Sequence, residues 1–168
     1  MEGTKIEAGS LATALLALLD EAYLESPDPR GTWFTDNEPA NGFLGTAARL
    51  SAAEASRPLT AGEGLSLASH VGHLTFALDL ANRAAKGENP YPEAKWARSW
   101  DERSVDEADW RALLAGLRAA YAEFRGNLER GAFWGSQEAL TGAIATIAHG
   151  AWHLGAIRQG LGLIRAPR

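Results

Sequence analysis

The sequence predicts an all-α fold, a four-helix bundle with long connecting loops and one short extra helix. Apolar residues recur at helical spacing over four long segments. No stretch alternates strictly with period two over enough residues to suggest a strand. Four long helices in a chain of 168 residues suit a bundle with one hydrophobic core, so we assign residues 1–168 to a single domain.

The ends of the first two long helices carry recognisable signals. The first is predicted over about 7–25, and the Ser-Pro-Asp-Pro sequence at 26–29 stops it. The second is predicted to begin at the Thr-Ala-Gly-Glu capping box at 60–63 and to end at the Lys-Gly pair at 86–87. The connection between them is too long for a turn, and we expect a short helix near 44–55.

The third and fourth long helices occupy the second half of the chain. The third opens at the Ser-Val-Asp-Glu capping box at 104–107 and runs to about Arg130, where Gly131 breaks it. The fourth has Ser136 as its N-cap and continues to about Ile164. It is the longest and is apolar on all sides, which predicts that it is buried.

Composition excludes several classes of function. A net charge of −5, from 16 basic and 21 acidic residues, offers no basic field for a nucleic acid. The first residues lack the pattern of a secretory signal and the apolar run at 11–19 is too short to span a bilayer, so we expect a cytoplasmic protein without a membrane partner. The absence of cysteine excludes disulfides, thiolate ligands and a cysteine nucleophile, so thiol chemistry would need an external thiol.

All four histidines fall into two short clusters within helical segments. His70 and His73 lie in the second long helix, and His149 and His153 lie in the fourth. Spacings of three and four residues stack side chains on one helix face, and imidazole is the commonest protein ligand for zinc, nickel, iron and copper. If the two helices face each other, three or four ring nitrogens could meet one ion. The alternative is that these histidines form hydrogen bonds in the core.

The two clusters differ in how much their positions reveal. His149 and His153 share a stripe with small residues, which predicts either a pocket around the imidazoles or close approach of a neighbouring helix; the small residues are Gly142, Ala145, Ala156 and Gly160. On the second helix, periodicity places His70 nearer the middle of the apolar arc and His73 nearer its edge. Spacing alone therefore does not choose a third ligand.

Aromatic residues are concentrated in the two long connections, 27–59 and 87–103. Trp33 lies in the first, and Trp96 and Trp100 lie in the second. Long loops in a compact domain are often functional, so these side chains are candidates for a pocket over one end of the bundle. The alternative is that they anchor the loops to the core.

Two motifs carry a family resemblance. The sequence Ser66-Leu-Ala-Ser-His-Val-Gly-His73-Leu74 resembles the second-helix motif of the DinB-like (DinB/YfiT) superfamily, and His149-Gly-Ala-Trp-His153-Leu-Gly-Ala-Ile-Arg158-Gln159 resembles its last-helix motif. The order and separation of the motifs fit the whole chain. The resemblance implies an up-down-down-up four-helix bundle, a three-histidine site for a divalent metal, and frequently a homodimer.

Residue by residue, the resemblance assigns the metal ligands. His73 takes the place of the second-helix ligand, and His149 and His153 take the places of the last-helix pair. His70 has no fixed role in that pattern, so it is either an alternative ligand or a partner that hydrogen-bonds a ligand. The family frequently has Gly-Gln after the last ligand, where this chain has Gly155-Ala156.

The resemblance also implies an activity. Characterised members include metal-dependent transferases and isomerases that use low-molecular-weight thiols. We therefore expect zinc or nickel, a small-molecule substrate, and either transfer of a small thiol or hydrolysis. Gly150 stands where the metalloprotease His-Glu-x-x-His motif has its glutamate, which disfavours peptidase activity. The alternative is a non-catalytic metal-binding or stress-response bundle.

Overall fold

The computed structural model describes residues 7–24, 31–59 and 64–165, with the side chains of 163–165 excepted. Within these residues the protein is all-helical, as predicted, and the only extended pairing is an isolated bridge between Pro58 and Ser66. There are six α-helices: α1 (Ala8–Tyr23), α2 (Phe43–Ala48), α3 (Ala52–Ala55), α4 (Leu67–Ala85), α5 (Glu107–Glu129) and α6 (Gln137–Arg165). Two short 3-10 helices, Tyr91–Glu93 and Trp96–Trp100, lie between α4 and α5.

Each of the four long helices packs against two of the others. Helix α4 contacts both α5 and α6, and α1 contacts the same two helices from the other side. Helix α4 runs parallel to α5, because Thr75 lies beside Gly116 and Asn82 reaches Asn127 further along both. It runs antiparallel to α6, where His70 meets His153. The long connection before α5 permits the parallel pair.

Helix starts depend on which side chains cap them. Helix α4 begins at Leu67, so the predicted start at 60–63 is wrong; 60–63 themselves lie outside the described residues. Gly64 has φ +64° and Ser66 is extended, which interrupts any helix before Ser66, and Ser66 forms the capping box with Ser69. Helix α6 does follow Ser136, whose hydroxyl accepts the N–H of Ala139.

The start of the third long helix, α5, also differs from the predicted start, by a smaller number of residues. The Asp106 carboxylate, not Ser104, caps α5 by accepting the N–H groups of Ala108 and Asp109. The predicted box partner Glu107 instead accepts the N–H of Ala52, which ties α5 to α3. A capping motif in sequence thus competes with any other acceptor that lies one or two residues away.

Three other helix predictions need correction. The single short helix expected near 44–55 is two helices, because Ser51 caps a new turn with Glu54. Helix α1 ends at Tyr23 and not at Glu25, and the predicted stop at 26–29 lies outside the described residues. Helix α6 is not buried on all sides, since Ile144 is 45% exposed and Trp152 is 65% exposed.

Small residues on α6 set its distance from its neighbours. A Cβ at Gly150 would lie 2.4 Å from the ring of Tyr23, and one at Gly160 would lie 2.8 Å from Leu59. Both glycines therefore serve close packing. Gly142 has open space around its Cβ direction, and it borders a cleft described below. Small residues on α6 thus admit close neighbours at Gly150 and Gly160 and leave room near the histidines at Gly142.

None of the helices in the described part of the chain combines the length and the apolar character that crossing a membrane requires.

Candidate metal centre

The antiparallel packing of α4 and α6 brings the two histidine clusters together. The Nε2 atom of His149 lies 3.2 Å from Nε2 of His73 and 2.9 Å from Nε2 of His153. Each of the three residues offers one nitrogen, and these atoms lie within 4.8 Å of one another. The three histidines form a group that could hold a metal ion.

The donor set suits an ion such as zinc. Zinc–nitrogen bonds of about 2.0–2.1 Å place two ligands of a tetrahedral site about 3.3 Å apart. The Nε2 atoms of His73 and His149 are 3.2 Å apart, close to that value, and those of His149 and His153 are 2.9 Å apart, somewhat shorter. Three imidazoles also leave coordination positions free, as catalytic rather than structural zinc sites do.

Hydrogen bonds determine which nitrogen of His73 carries its proton. The single hydroxyl hydrogen of Ser99 is donated to the carbonyl of Trp96, at 2.7 Å. The Ser99 oxygen must then accept from Nδ1–H of His73, which is also 2.7 Å away. A neutral imidazole has one N–H, so Nε2 of His73 presents a lone pair to the other histidines.

His70 stands in a similar position behind His153. The two Nδ1 atoms are 2.8 Å apart, so one of them donates to the other. If His153 binds an ion through Nε2, its proton must be on Nδ1 and His70 must accept it. His70 lies outside the three-nitrogen group and contacts the far side of a member of it.

Burial keeps the cluster uncharged. His153 is fully buried, His70 and His73 are nearly so, and His149 is half-buried. Burial lowers the pKa of His70 to about 4, and burial together with the neighbouring histidines lowers that of His73 to about 4. The pKa of His149 is lowered by burial, and that of His153 falls to about 2, mainly through burial. Neutral imidazoles are the form that binds metals.

The 3-10 helix Trp96–Trp100 covers the cluster. The ring of Trp100 stacks on His73 with centroids 3.8 Å apart, and its edge meets His70 at 5.3 Å. Trp96 lies 5.9 Å from His73. The structure thus places two of the three candidate pocket tryptophans against the histidines. Trp33 is 80% exposed, and its backbone N–H donates to Glu21.

A cleft of about 430 Å³ opens beside the cluster. Its lining includes two of the three histidines and several small residues: His73, His149, Ala77, Gly142, Ala145, Thr146, Tyr91 and Trp96. Fully buried His153 is not part of the lining. The cleft gives a small molecule access to the His73 and His149 side of the group.

Sequence reasoning missed Ser99 and Tyr91. Both lie in the connection between α4 and α5, and only its fold over α4 brings Ser99 to His73 and Tyr91 to the cleft. Serine and tyrosine in a loop have no spacing that marks them as partners of a distant helix. The two flanking tryptophans, Trp96 and Trp100, were the available signal for this segment.

Comparisons with family models, with curated proteins and with solved structures find no match to this chain.

Proposed function

We propose that this chain is a divalent-metal-binding four-helix bundle of the DinB-like type, and that it is a metal-dependent enzyme acting with a small thiol. The observation that carries the proposal is the convergence of three Nε2 atoms beside an open cleft. His73, His149 and His153 are the proposed ligands, and zinc or nickel is the proposed ion.

The helix packing supports the bundle. Helices α1, α4, α5 and α6 surround one core, with α4 parallel to α5 and antiparallel to α6. The antiparallel pair carries the proposed ligands, which is where bundles build their metal sites. The directions of α4, α5 and α6 are those of the last three helices in the up-down-down-up arrangement that the motif resemblance implies.

A bound ion would supply Lewis acidity, which lowers the pKa of a thiol or of water. In thiol transfer, the sulfur attacks an electrophilic carbon, and a C–S bond forms as the bond to the leaving group breaks and that group takes the electron pair. The thiol proton passes to solvent. The chain contributes the His73 and His149 imidazoles at one side of the cleft, and Trp96 forms part of the cleft wall.

The cleft favours a thiol over water as nucleophile. None of the described residues that line it is a carboxylate, so it offers no evident general base of the kind metallohydrolases use. A thiol ionises near pH 8.5, far more readily than water, and needs less assistance. We therefore place thiol transfer before hydrolysis.

The experiment is elemental analysis of untagged protein, followed by turnover with a panel of thiols and a chromogenic electrophile. We expect about one ion per chain and thiol-dependent turnover that His149→Ala abolishes. One ion with no turnover would identify the non-catalytic metal-binding protein. A stoichiometry near zero after incubation with zinc and with nickel would leave a structural histidine cluster and overturn the proposal.

We also propose that the chain forms a homodimer through α6. The exposed side of this helix is uncharged from Thr141 to Gly155 and carries Ile144 and Trp152, which soluble proteins usually cover. A second copy offers the same surface, so a two-fold pairing is self-complementary. Ile144→Glu should shift sedimentation from dimer to monomer, and a wild-type monomer at high concentration would overturn this.

A further inference from the structure

A second cleft adjoins the one beside the histidines. It has a volume of about 480 Å³ and shares Tyr91 and Gly142 with the first, so the two form a groove along α4 and α6. Both volumes lie within the usual range for small-molecule sites. The groove leads from the His73 and His149 side of the cluster towards the N-terminus of α6.

The walls of the second cleft are apolar along the helices and acidic at the far end. Its apolar lining includes Ala81, Ala84, Ala132, Phe133, Ala139 and Ala143. The polar lining includes Glu88 and Glu138, and no lysine or arginine lines either cleft. Glu88 forms an ion pair with Arg83 at 2.7 Å. Glu138 lies in the first turn of α6 and forms no ion pair within the described residues, so no basic side chain among them neutralises its carboxylate at this end of the groove.

The helix sets the length of a ligand that reaches both ends. Glu138 and His149 are eleven residues apart on α6, which corresponds to about 16 Å at 1.5 Å per residue. A ligand with one group at the histidines and another at Glu138 must therefore be elongated. Its middle would lie against alanine and phenylalanine side chains.

We propose that this groove binds an elongated thiol that carries a cationic amine at the end opposite its sulfur. The inference rests on the proposed function, which places the sulfur at the three histidines. The carboxylate of Glu138 attracts the amine, and the absence of basic side chains in the lining disfavours thiols with anionic tails. The groove therefore selects the tail of the thiol while the histidines handle the sulfur.

The test uses zinc-loaded protein and alkanethiols with about eleven methylenes that end in an amine, a hydroxyl or a carboxylate. Calorimetry measures their binding to wild type and to Glu138→Gln, with Glu38→Gln as the control because Glu38 is exposed and lines neither cleft. We expect the amine to bind about fivefold to tenfold more tightly than the carboxylate, and Glu138→Gln to remove most of that ratio.

A second variant tests the groove independently of charge. A side chain at Gly142 meets no atom within 4 Å at its Cβ, so Gly142→Leu should fold and fill the junction of the clefts. Gly162→Leu is the matched control, since Gly162 is also a glycine of α6 with open space and lines neither cleft. We expect Gly142→Leu to remove the advantage of long aminothiols over short ones and to leave zinc binding unchanged.

The outcomes separate the two proposals. If zinc binds but the amine and carboxylate thiols bind equally, or if the ratio survives Glu138→Gln, the groove assignment is wrong and the metal site stands. If wild-type protein binds no zinc, the proposed function and this inference fail together.

Discussion

Two buried polar centres in this protein differ in which groups form their hydrogen bonds. The carboxylate of Glu21, on α1, accepts the backbone N–H groups of Trp33, Phe34 and Thr35 and the hydroxyl of Thr35, at 2.6–3.0 Å. All its donors come from one loop. In the histidine cluster, the ring nitrogens contact one another. When Nδ1–H of His153 donates to His70, the Nε2 atoms of His73 and His153 both present lone pairs.

The difference separates a structural role from a binding role. A carboxylate such as that of Glu21, whose hydrogen bonds all come from protein donors, fixes a loop and needs no ligand. A cluster with more acceptor atoms than hydrogens is stabilised by a cation that accepts several lone pairs at once. The neutral imidazoles of the cluster can therefore exchange hydrogen bonds with one another for bonds to an ion. Four measurements distinguish the two centres.

The largest effect should follow loss of a ligand. Replacing His73, His149 or His153 by Ala should abolish stoichiometric zinc binding, because two nitrogens hold an ion far less well than three. Zinc at about 1,000 times its Kd should stabilise wild type by about 4 kcal/mol. Thermal unfolding with and without zinc measures this, and the three variants should show no zinc-dependent shift in Tm.

Glu21→Gln is the control for that experiment, because it disturbs the other centre. Its Tm should fall, but zinc should still raise it as much as in wild type. A zinc response that survives all three histidine substitutions would show that the ion binds elsewhere.

The next effect concerns the hydrogen bond behind His153. His70→Leu should weaken zinc affinity by about 10-fold to 100-fold without changing the stoichiometry, because the imidazole of His153 loses the acceptor that orients it. His70→Asn should restore much of the affinity, since its amide oxygen can accept at the position of Nδ1. Competition with a chromogenic chelator measures both.

The same experiment decides between the two histidines of α4. If His70→Leu abolishes binding and His73→Ala only weakens it, His70 is the ligand. The apolar periodicity of α4 would then identify the ligand better than the motif resemblance does.

Most of the fold could be predicted from the sequence, and part of the site. The helices were recognisable because their apolar spacing is a local property, and the two histidine clusters because each lies on one helix face. The starts of α4 and α5 were misplaced because Ser66 and Asp106 compete with nearby capping residues. Periodicity could not assign roles to His70 and His73, since that depends on how α6 packs.

Contacts between segments distant in sequence were beyond such reasoning. Ser99 contacts His73, which lies 26 residues earlier in the chain, and no local sequence pattern indicates that contact. Glu21 is a similar case, because a glutamate on a predicted amphipathic helix is ordinarily exposed, whereas this one is 4% exposed beneath the loop it holds. In both cases a connecting segment supplies the partner, through a serine hydroxyl for His73 and mainly through backbone N–H groups for Glu21.

Removing the charge of Glu21 should have a moderate effect on stability. Glu21→Gln keeps one acceptor oxygen but presents an amide N–H₂ to backbone donors that now lack an acceptor. We expect a loss of about 1–3 kcal/mol in the free energy of unfolding, measured by urea denaturation. Glu38→Gln, an exposed change of the same chemistry, should cost almost nothing. An unchanged midpoint for Glu21→Gln would mean that the loop is held by other contacts.

The smallest effect is the pH dependence of that same anchor. Burial raises the pKa of Glu21, but the hydrogen bonds from Phe34, Trp33 and Thr35 outweigh it and hold the pKa below its ordinary value of 4.5. A carboxyl group with a lowered folded-state pKa stabilises the protein above its unfolded-state pKa, and that stabilisation is lost as pH falls through the folded-state pKa. The difference in free energy of unfolding between wild type and Glu21→Gln should therefore be constant near neutral pH and shrink below about 4.5. Urea denaturation of both proteins between about pH 7 and pH 3 measures it, and the other carboxylates cancel in the difference. A difference that stays constant to the lowest pH would contradict the claim that the ionised form of Glu21 holds the loop.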